Sequence, residues 1–119
     1  MVRDIHHEVL MNQFDYANMN NIRSALAMFN VLEDKMYKGN ASAQAIILDI
    51  NNAMEQLPKI ERQCINKYYF EGYTQIEIAW QLNISQRLVS GHITSAIGHI
   101  MQVLAGENLL IQMMVGELD

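Results

Sequence analysis

Residues 74–94 read TQIEIAWQLNISQRLVSGHIT and contain two short helical patterns separated by a three-residue break. Thr74, followed three residues later by Glu77, has the spacing of a capping box at the start of the first helix. Ser85 precedes the second pattern, where its hydroxyl can cap the first turn. Between the two patterns, Asn83 tolerates the left-handed conformation that a tight turn requires. This arrangement predicts a helix-turn-helix.

The apolar residues of this stretch recur where a helix-turn-helix needs buried side chains. Ala79 is small, which lets the second helix cross closely over the first. The other expected core positions are Ile78, Leu82, Ile84, Val89 and Ile93. The two helices are therefore expected to pack on one core.

The composition favours an all-α fold. Half of the 119 residues are apolar, and only one Pro and six Gly interrupt the periodic patterns. The net charge of −5 is unusual for a nucleic-acid binder, for which a basic surface is expected. One cysteine allows no internal disulfide, and the N-terminus has no apolar signal-peptide core. These features, with no continuous apolar run of about 20 residues, predict a cytoplasmic protein and no membrane partner.

Helical periodicity predicts the elements before this stretch. One helix is expected over residues 16–38, ended by Gly39, and residues 1–14 hint at a short helix ahead of it. A further helix is expected over residues 42–56 and is ended by Pro58.

The next expected helix covers residues 59–70. Its inward-facing residues are Ile60, Cys64, Ile65 and Tyr68. Cys64, on this apolar face, is interpreted as a small core residue rather than a nucleophile.

The periodicity divides the chain into three parts. Residues 1–56 are a helical extension for packing or dimerisation, residues 57–105 are the helix-turn-helix module, and residues 106–119 are an apolar acidic tail. The last helix of the module is expected to stop at Gly106. The extension and the tail supply more apolar side chains than a module of about 50 residues needs for its own core. The surplus apolar surface predicts a homodimer interface. The Met-rich tail can serve as a partner surface or close the core.

Positive charge is concentrated around the helix-turn-helix. Residues 59–99 carry four cations against three carboxylates, whereas the acidic excess lies outside them. The cations are Lys59, Arg62, Lys67 and Arg87, and the carboxylates are Glu61, Glu71 and Glu77. This distribution supports DNA binding only weakly.

Residues 57–100, LPKIERQCINKYYFEGYTQIEIAWQLNISQRLVSGHITSAIGHI, resemble region 4 of bacterial sigma-70-type factors. The matching signature is LP at 57, ERQ at 61, YFEG at 69, TQ at 74, EIA at 77, ISQ at 84, VS at 89 and HI at 92. With its helical extension, the chain also resembles phage and prophage sigma-like regulators of the ArpU and RinA type. That likeness implies a sequence-specific transcriptional regulator of late or lytic genes that binds double-stranded DNA.

The resemblance implies that the recognition helix presents Ser85, Gln86, Arg87, Ser90 and Thr94 to DNA. An arginine can make two hydrogen bonds to guanine, and a glutamine can do the same with adenine. Ser90 and Thr94 lie one and two turns further on, within reach of a base edge or a phosphate.

The resemblance also implies a phosphate contact at the preceding helix, through the backbone N–H groups of Thr74 and Gln75. The sequence departs from the family pattern at Gly91, Thr94 and Ser95, where basic residues are usual. With so few phosphate contacts a monomer is expected to bind weakly, so dimerisation or RNA polymerase would have to assist.

A second interpretation is that the same fold binds protein: RNA polymerase, a sigma factor or another regulator. The acidity and the sparsely charged recognition helix favour it. Trp80 is expected to pack under the N-terminal extension, with contact to the DNA backbone as the alternative. His92 and His99 share one helix face but are too few ligands for a metal site, and no cofactor is expected. No catalytic constellation is present in the sequence, so the protein is not expected to be an enzyme.

Overall fold

The computed structural model describes the backbone of residues 18–118 and the side chains of residues 18–106. Every regular element in this range is helical, which confirms the predicted all-α class. The elements are α1 (Met19–Ala27), α2 (Phe29–Tyr37), α3 (Ala41–Glu55), α4 (Lys59–Ile65) with its π-helical continuation (Asn66–Phe70), α5 (Gln75–Leu82) and α6 (Gln86–Leu118). The short helix predicted within residues 1–14 lies outside the described residues.

The prediction of one helix over residues 16–38 is wrong, because the chain bends at Met28 between α1 and α2. The backbone of Met28 leaves the helical region at φ −103° and ψ 18°, although its N–H still donates to the Ser24 carbonyl at 2.9 Å. Leu26 and Leu32, on either side of the bend, are both buried in the same core. The apolar period therefore continues through the bend, and the sequence pattern does not reveal it.

Capping residues mark the start of α1, the end of α2 and the start of α3. The Asn18 side chain caps α1 by accepting the Asn20 N–H at 2.9 Å. Gly39 follows α2 with φ +91°, which confirms the predicted stop. Asn40 then caps α3 by accepting the Ala43 N–H at 2.9 Å, so the helix begins slightly earlier than expected.

The predicted helix over residues 59–70 has the expected extent, but its last turn is π-helical. The Glu71 N–H donates to the Asn66 carbonyl at 2.9 Å, five residues back. The wider turn changes which side chains face the core. Tyr68, predicted to face inward, is 36% exposed, while Tyr69 packs against the core.

The π-helical turn contacts the N-terminal helices. Burial raises the pKa of Tyr69, and the positive charge of Arg23, together with a hydrogen bond from its side chain, partly opposes that increase. The rings of Phe29 and Phe70 lie 5.0 Å apart between centroids. The extension is thus packed onto the helix that leads into the helix-turn-helix.

The predicted helix stop at Gly106 is wrong, since α6 continues through it to Leu118. Gly106 does not have a positive φ. A glycine ends a helix when it adopts the left-handed conformation, whereas a single helical glycine costs only about 0.5–1 kcal/mol relative to alanine.

The long helix α6 lies at the centre of the fold, where α1, α3, α4 and α5 all pack against it. One apolar core draws buried side chains from all six helices. The α6 contribution consists of Val89, Ile93, Ala96, Ile97, Ile100 and Leu104.

The first 21 residues of α6, Gln86–Gly106, are long and apolar enough to cross a membrane, with a mean hydropathy of 1.2. The sequence prediction missed this stretch because polar residues interrupt it. Several of its apolar side chains, including Val89, Ile93 and Ile97, are buried against the other helices, whereas Leu88 is exposed. The stretch is therefore weak evidence for a membrane span, since the core helix of a globular protein has the same composition.

Candidate nucleic-acid interface

The first helix of the candidate interface, α5, begins with the predicted capping box. The Thr74 hydroxyl accepts the Glu77 N–H at 3.2 Å, and the Glu77 carboxylate accepts the Thr74 N–H at 3.0 Å. The hydrogen bond that the carboxylate accepts from the Thr74 N–H, with a smaller contribution from the Thr74 hydroxyl, holds the pKa of Glu77 below its ordinary value of 4.5. The Thr74 N–H is therefore satisfied within the helix end.

The turn between α5 and α6 has the conformation expected from its sequence. Asn83 is left-handed at φ 56° and ψ 47°. After it, the Ile84 N–H donates to the Ala79 carbonyl at 3.0 Å. The Ser85 hydroxyl then accepts the Leu88 N–H at 3.1 Å, as an N-cap does. This geometry turns the chain sharply and fixes the direction in which α6 begins.

The core positions predicted for the two helices lie on the inside. Ile78, Ala79, Val89 and Ile93 are buried, while Leu82 and Ile84 are half-buried and pack against the core. Over residues 86–95, the opposite face of α6 is exposed among the described residues.

The structure gathers most of the predicted DNA-contacting residues on the outer surface of the helix-turn-helix. Ser85, Gln86, Arg87, Ser90 and Thr94 are all exposed on or just before α6. The guanidinium of Arg87 has no hydrogen bond or ion pair with any side chain that the structure describes. It is therefore available to an external acceptor.

The two residues predicted to contact phosphate lie at the start of α5. Thr74 is exposed and Gln75 is half-buried. Because Glu77 occupies the Thr74 N–H, a phosphate contact at this helix end falls to the Gln75 N–H. The carboxylate of Glu77 also places a negative charge there, which weakens the site for an anion.

Two further residues lie on the outer face of α6: Leu88, which was not predicted, and Gly91, which was noted as a departure from the family pattern. Leu88 is 52% exposed beside Arg87. At Gly91, an added Cβ would have no neighbouring atom within 4 Å, so the surface is open there. Helical spacing could have identified Leu88, because its neighbour Val89 takes the inward position.

Trp80 is not covered by the described helices of the N-terminal extension, contrary to the prediction. It is 81% exposed on the outer side of α5, and Ile76, one turn earlier, is 52% exposed. Residues four apart lie on the same helix face, so these two side chains form an apolar strip, named here the α5 strip.

A buried carboxylate beneath α6 was missed by the sequence interpretation. Glu61 on α4 is only 6% exposed, and its oxygens contact Ser95 and His99 on α6. The signal was present, because Glu61 precedes the buried Cys64 and Ile65 by three and four residues. No group of three or more metal-binding side chains occurs within residues 18–106.

Comparison with known protein families supports the helix-turn-helix described above. Residues 53–101 match the family described as Sigma-70, region 4. The match runs from the end of α3 through the first half of α6 and includes the entire helix-turn-helix. No curated protein and no solved structure matches the chain significantly. The chain therefore carries a sigma-70 region 4-like helix-turn-helix, which is a DNA-binding regulatory class of domain rather than an enzyme class.

Proposed function

We propose that the protein is a sequence-specific transcriptional regulator that reads double-stranded DNA with the first turns of α6. One observation carries this proposal: Arg87 is exposed and unpaired among the described side chains, at the start of a helix whose direction Asn83 and Ser85 fix. A recognition helix typically uses its N-terminal residues to contact base edges in the major groove.

Each exposed residue then has a role that suits its chemistry. Arg87 donates two hydrogen bonds to a guanine, and Gln86 pairs with an adenine. Ser85, Ser90 and Thr94 donate hydroxyl hydrogens to phosphates or base edges along the same face. At the start of α5, Thr74 and Gln75 lie beside the DNA backbone.

The charge of the surface limits the affinity of one copy. Each phosphate that a protein neutralises adds about 0.9 to the slope of the logarithm of the binding constant against the logarithm of the salt concentration. Arg87 is the only Lys or Arg between residues 68 and 119, so one copy neutralises few phosphates. We therefore propose that DNA is bound by a homodimer or together with RNA polymerase. The dimer would place two recognition helices on half-sites about 34–36 Å apart.

The likeness to phage and prophage regulators supports control of late or lytic genes as the biological setting. Such a regulator works in the host cytoplasm, where its DNA target and the polymerase are found.

Replacing Arg87 with alanine tests the readout. DNA sites would first be selected from a random library with the unaltered protein. On the best site, Arg87→Ala should weaken binding by about 1–3 kcal/mol and relax the preference at one base pair. Lys59→Ala is the matched control, since it removes one exposed positive charge at the start of α4, away from the recognition helix. Equal effects of the two substitutions would contradict base readout by Arg87.

The α5 strip favours a second candidate function, in which the module binds a protein. Trp80 and Ile76 present apolar surface that a DNA contact does not require. Such residues are enriched at the centre of protein interfaces. The acidic net charge of −5 also suits a partner other than DNA.

Binding measurements with the unaltered protein and with Trp80→Ala distinguish the two candidates. Retention of the unaltered protein on immobilised RNA polymerase that Trp80→Ala abolishes, without binding to selected DNA, would favour the protein-binding function. Salt-sensitive DNA binding that Trp80→Ala leaves intact would favour DNA recognition by α6.

A further inference from the structure

Glu61 joins α4 to α6 through both oxygens of its carboxylate. Oε2 accepts a hydrogen bond from the Ser95 hydroxyl at 3.2 Å, and Oε1 lies 2.6 Å from Nδ1 of His99. An ionised carboxylate only accepts hydrogen bonds, so a hydrogen bond between Glu61 and His99 requires the proton of the imidazole to lie on Nδ1. Burying a carboxylate costs free energy unless hydrogen bonds compensate for the lost water. Hydrogen bonds to a charged group are strong and depend on geometry, so these two contacts are directional.

The two partners are separated by one helical turn on the same face of α6. A carboxylate that holds two points along a helix opposes both rotation of that helix about its axis and sliding along it. Ser95 immediately follows Thr94, the last residue of the proposed DNA-contacting surface. The attachment therefore acts close to the surface that reads DNA.

The remaining contacts of α6 are less able to fix its orientation. Within residues 86–106, the buried side chains of α6 are apolar, such as Val89, Ile93 and Ile97, and apolar burial has no preferred direction. Gly91 and Gly98 also lie within this part of α6, and glycine lowers the intrinsic stability of a helix. The hydrogen bonds from Ser95 and His99 to Glu61 therefore restrain the part of α6 that contains these two glycines.

We propose that Glu61 is a positioning residue for DNA recognition, which sets the orientation of the exposed face of α6 through Ser95 and His99. This inference rests on the proposed function, because it assigns Glu61 to the same DNA-reading surface. Glu61 does not touch DNA itself, since it is buried between α4 and α6. Its effect is expected on specific binding, which needs base contacts in register, more than on non-specific binding, which needs only charge.

Two pairs of variants test the proposal. His99→Asn retains a donor near the position of Nδ1, whereas His99→Leu removes it. Glu61→Gln removes the second acceptor oxygen, and Glu71→Gln is its control, because Glu71 is exposed. Affinity for the selected site and for random DNA would be measured at a temperature at which circular dichroism shows every variant to be folded.

We expect His99→Leu and Glu61→Gln to lose about tenfold or more in affinity for the selected site, with little change on random DNA. His99→Asn should recover most of the loss, and Glu71→Gln should behave as the unaltered protein. Hydrogen exchange of the backbone amides of residues 86–94 should rise in the two weakened variants.

The possible failures are distinguishable. If the unaltered protein selects no DNA site, the proposed function fails and the inference fails with it. If the unaltered protein selects a site but His99→Leu and Glu61→Gln bind it normally, only the positioning role is overturned. Equal losses on selected and random DNA, or no recovery in His99→Asn, would likewise overturn it.

Discussion

At the scale of single residues, Cys64 shows how its surroundings control a reactive group. Its side chain is fully buried, as predicted for a small core residue. Burial raises the pKa of the thiol, and the negative charge of Glu61 raises it further, while Lys67 partly opposes the increase. A thiol in this environment is neutral and a poor nucleophile.

We expect Cys64 to be unreactive toward an aromatic disulfide reagent at pH 8 in the native protein and to react fully in urea. Because the folded state holds the thiol proton more tightly than the unfolded state, its contribution to stability is complete below the ordinary pKa of 9.0. That contribution is lost as the pH rises through the folded-state pKa. Absorbance of the released thiolate measures the reaction, and rapid native labelling would contradict the burial.

At the scale of elements, glycines in α6 and after α2 illustrate how backbone conformation decides the effect of a side chain. An added Cβ would meet no atom within 4 Å at either Gly98 or Gly39. The two residues differ in backbone conformation, because Gly39 has φ +91° and Gly98 is helical. Space is therefore equal at both positions, and only the conformational preference of alanine differs.

Gly98→Ala should raise the free energy of unfolding by about 0.5–1 kcal/mol, because alanine favours the helical conformation already present. Gly39→Ala should lower it by about 1–2 kcal/mol, because its left-handed backbone is strained for any residue with a Cβ. Urea unfolding followed by circular dichroism measures both values. A stabilising Gly39→Ala would contradict the described turn.

At the scale of the whole molecule, the predicted boundary between residues 56 and 57 crosses a continuous core. α1 and α3 precede this boundary, yet both pack directly on α6, and Arg23 of α1 contacts Tyr69 beyond the boundary. The matched family region itself begins at residue 53, within α3. The N-terminal helices therefore belong to the same core as α6.

We expect a fragment of residues 57–119 to lack a cooperative thermal transition, because α6 would lose the packing that α1 and α3 provide. Adding a peptide of residues 18–56 should restore the transition and the dispersion of the amide NMR spectrum. The full chain is the control. A fragment that unfolds cooperatively alone would show that the module is an independent domain.

Part of the fold follows from local rules and was predicted correctly. The capping box of Thr74 and Glu77, the left-handed Asn83 and the N-cap Ser85 each satisfy hydrogen bonds within a few residues. Interactions of such short range depend only on which residues are neighbours in the sequence. The errors at Met28, Tyr68 and Gly106 have another origin, since at each position the backbone adopts a conformation that the apolar period does not distinguish from the predicted one.

The candidate interface divides in the same way. The sequence alone determined that a helix-turn-helix lies at residues 74–94 and that Arg87 stands at the start of its second helix, because helical spacing fixes which residues share a face. Only the tertiary structure decided that Trp80 is exposed and that Glu61 meets Ser95 and His99, more than thirty residues away along the chain. Such contacts form only when separate helices are brought together, and no local pattern encodes the distance between them.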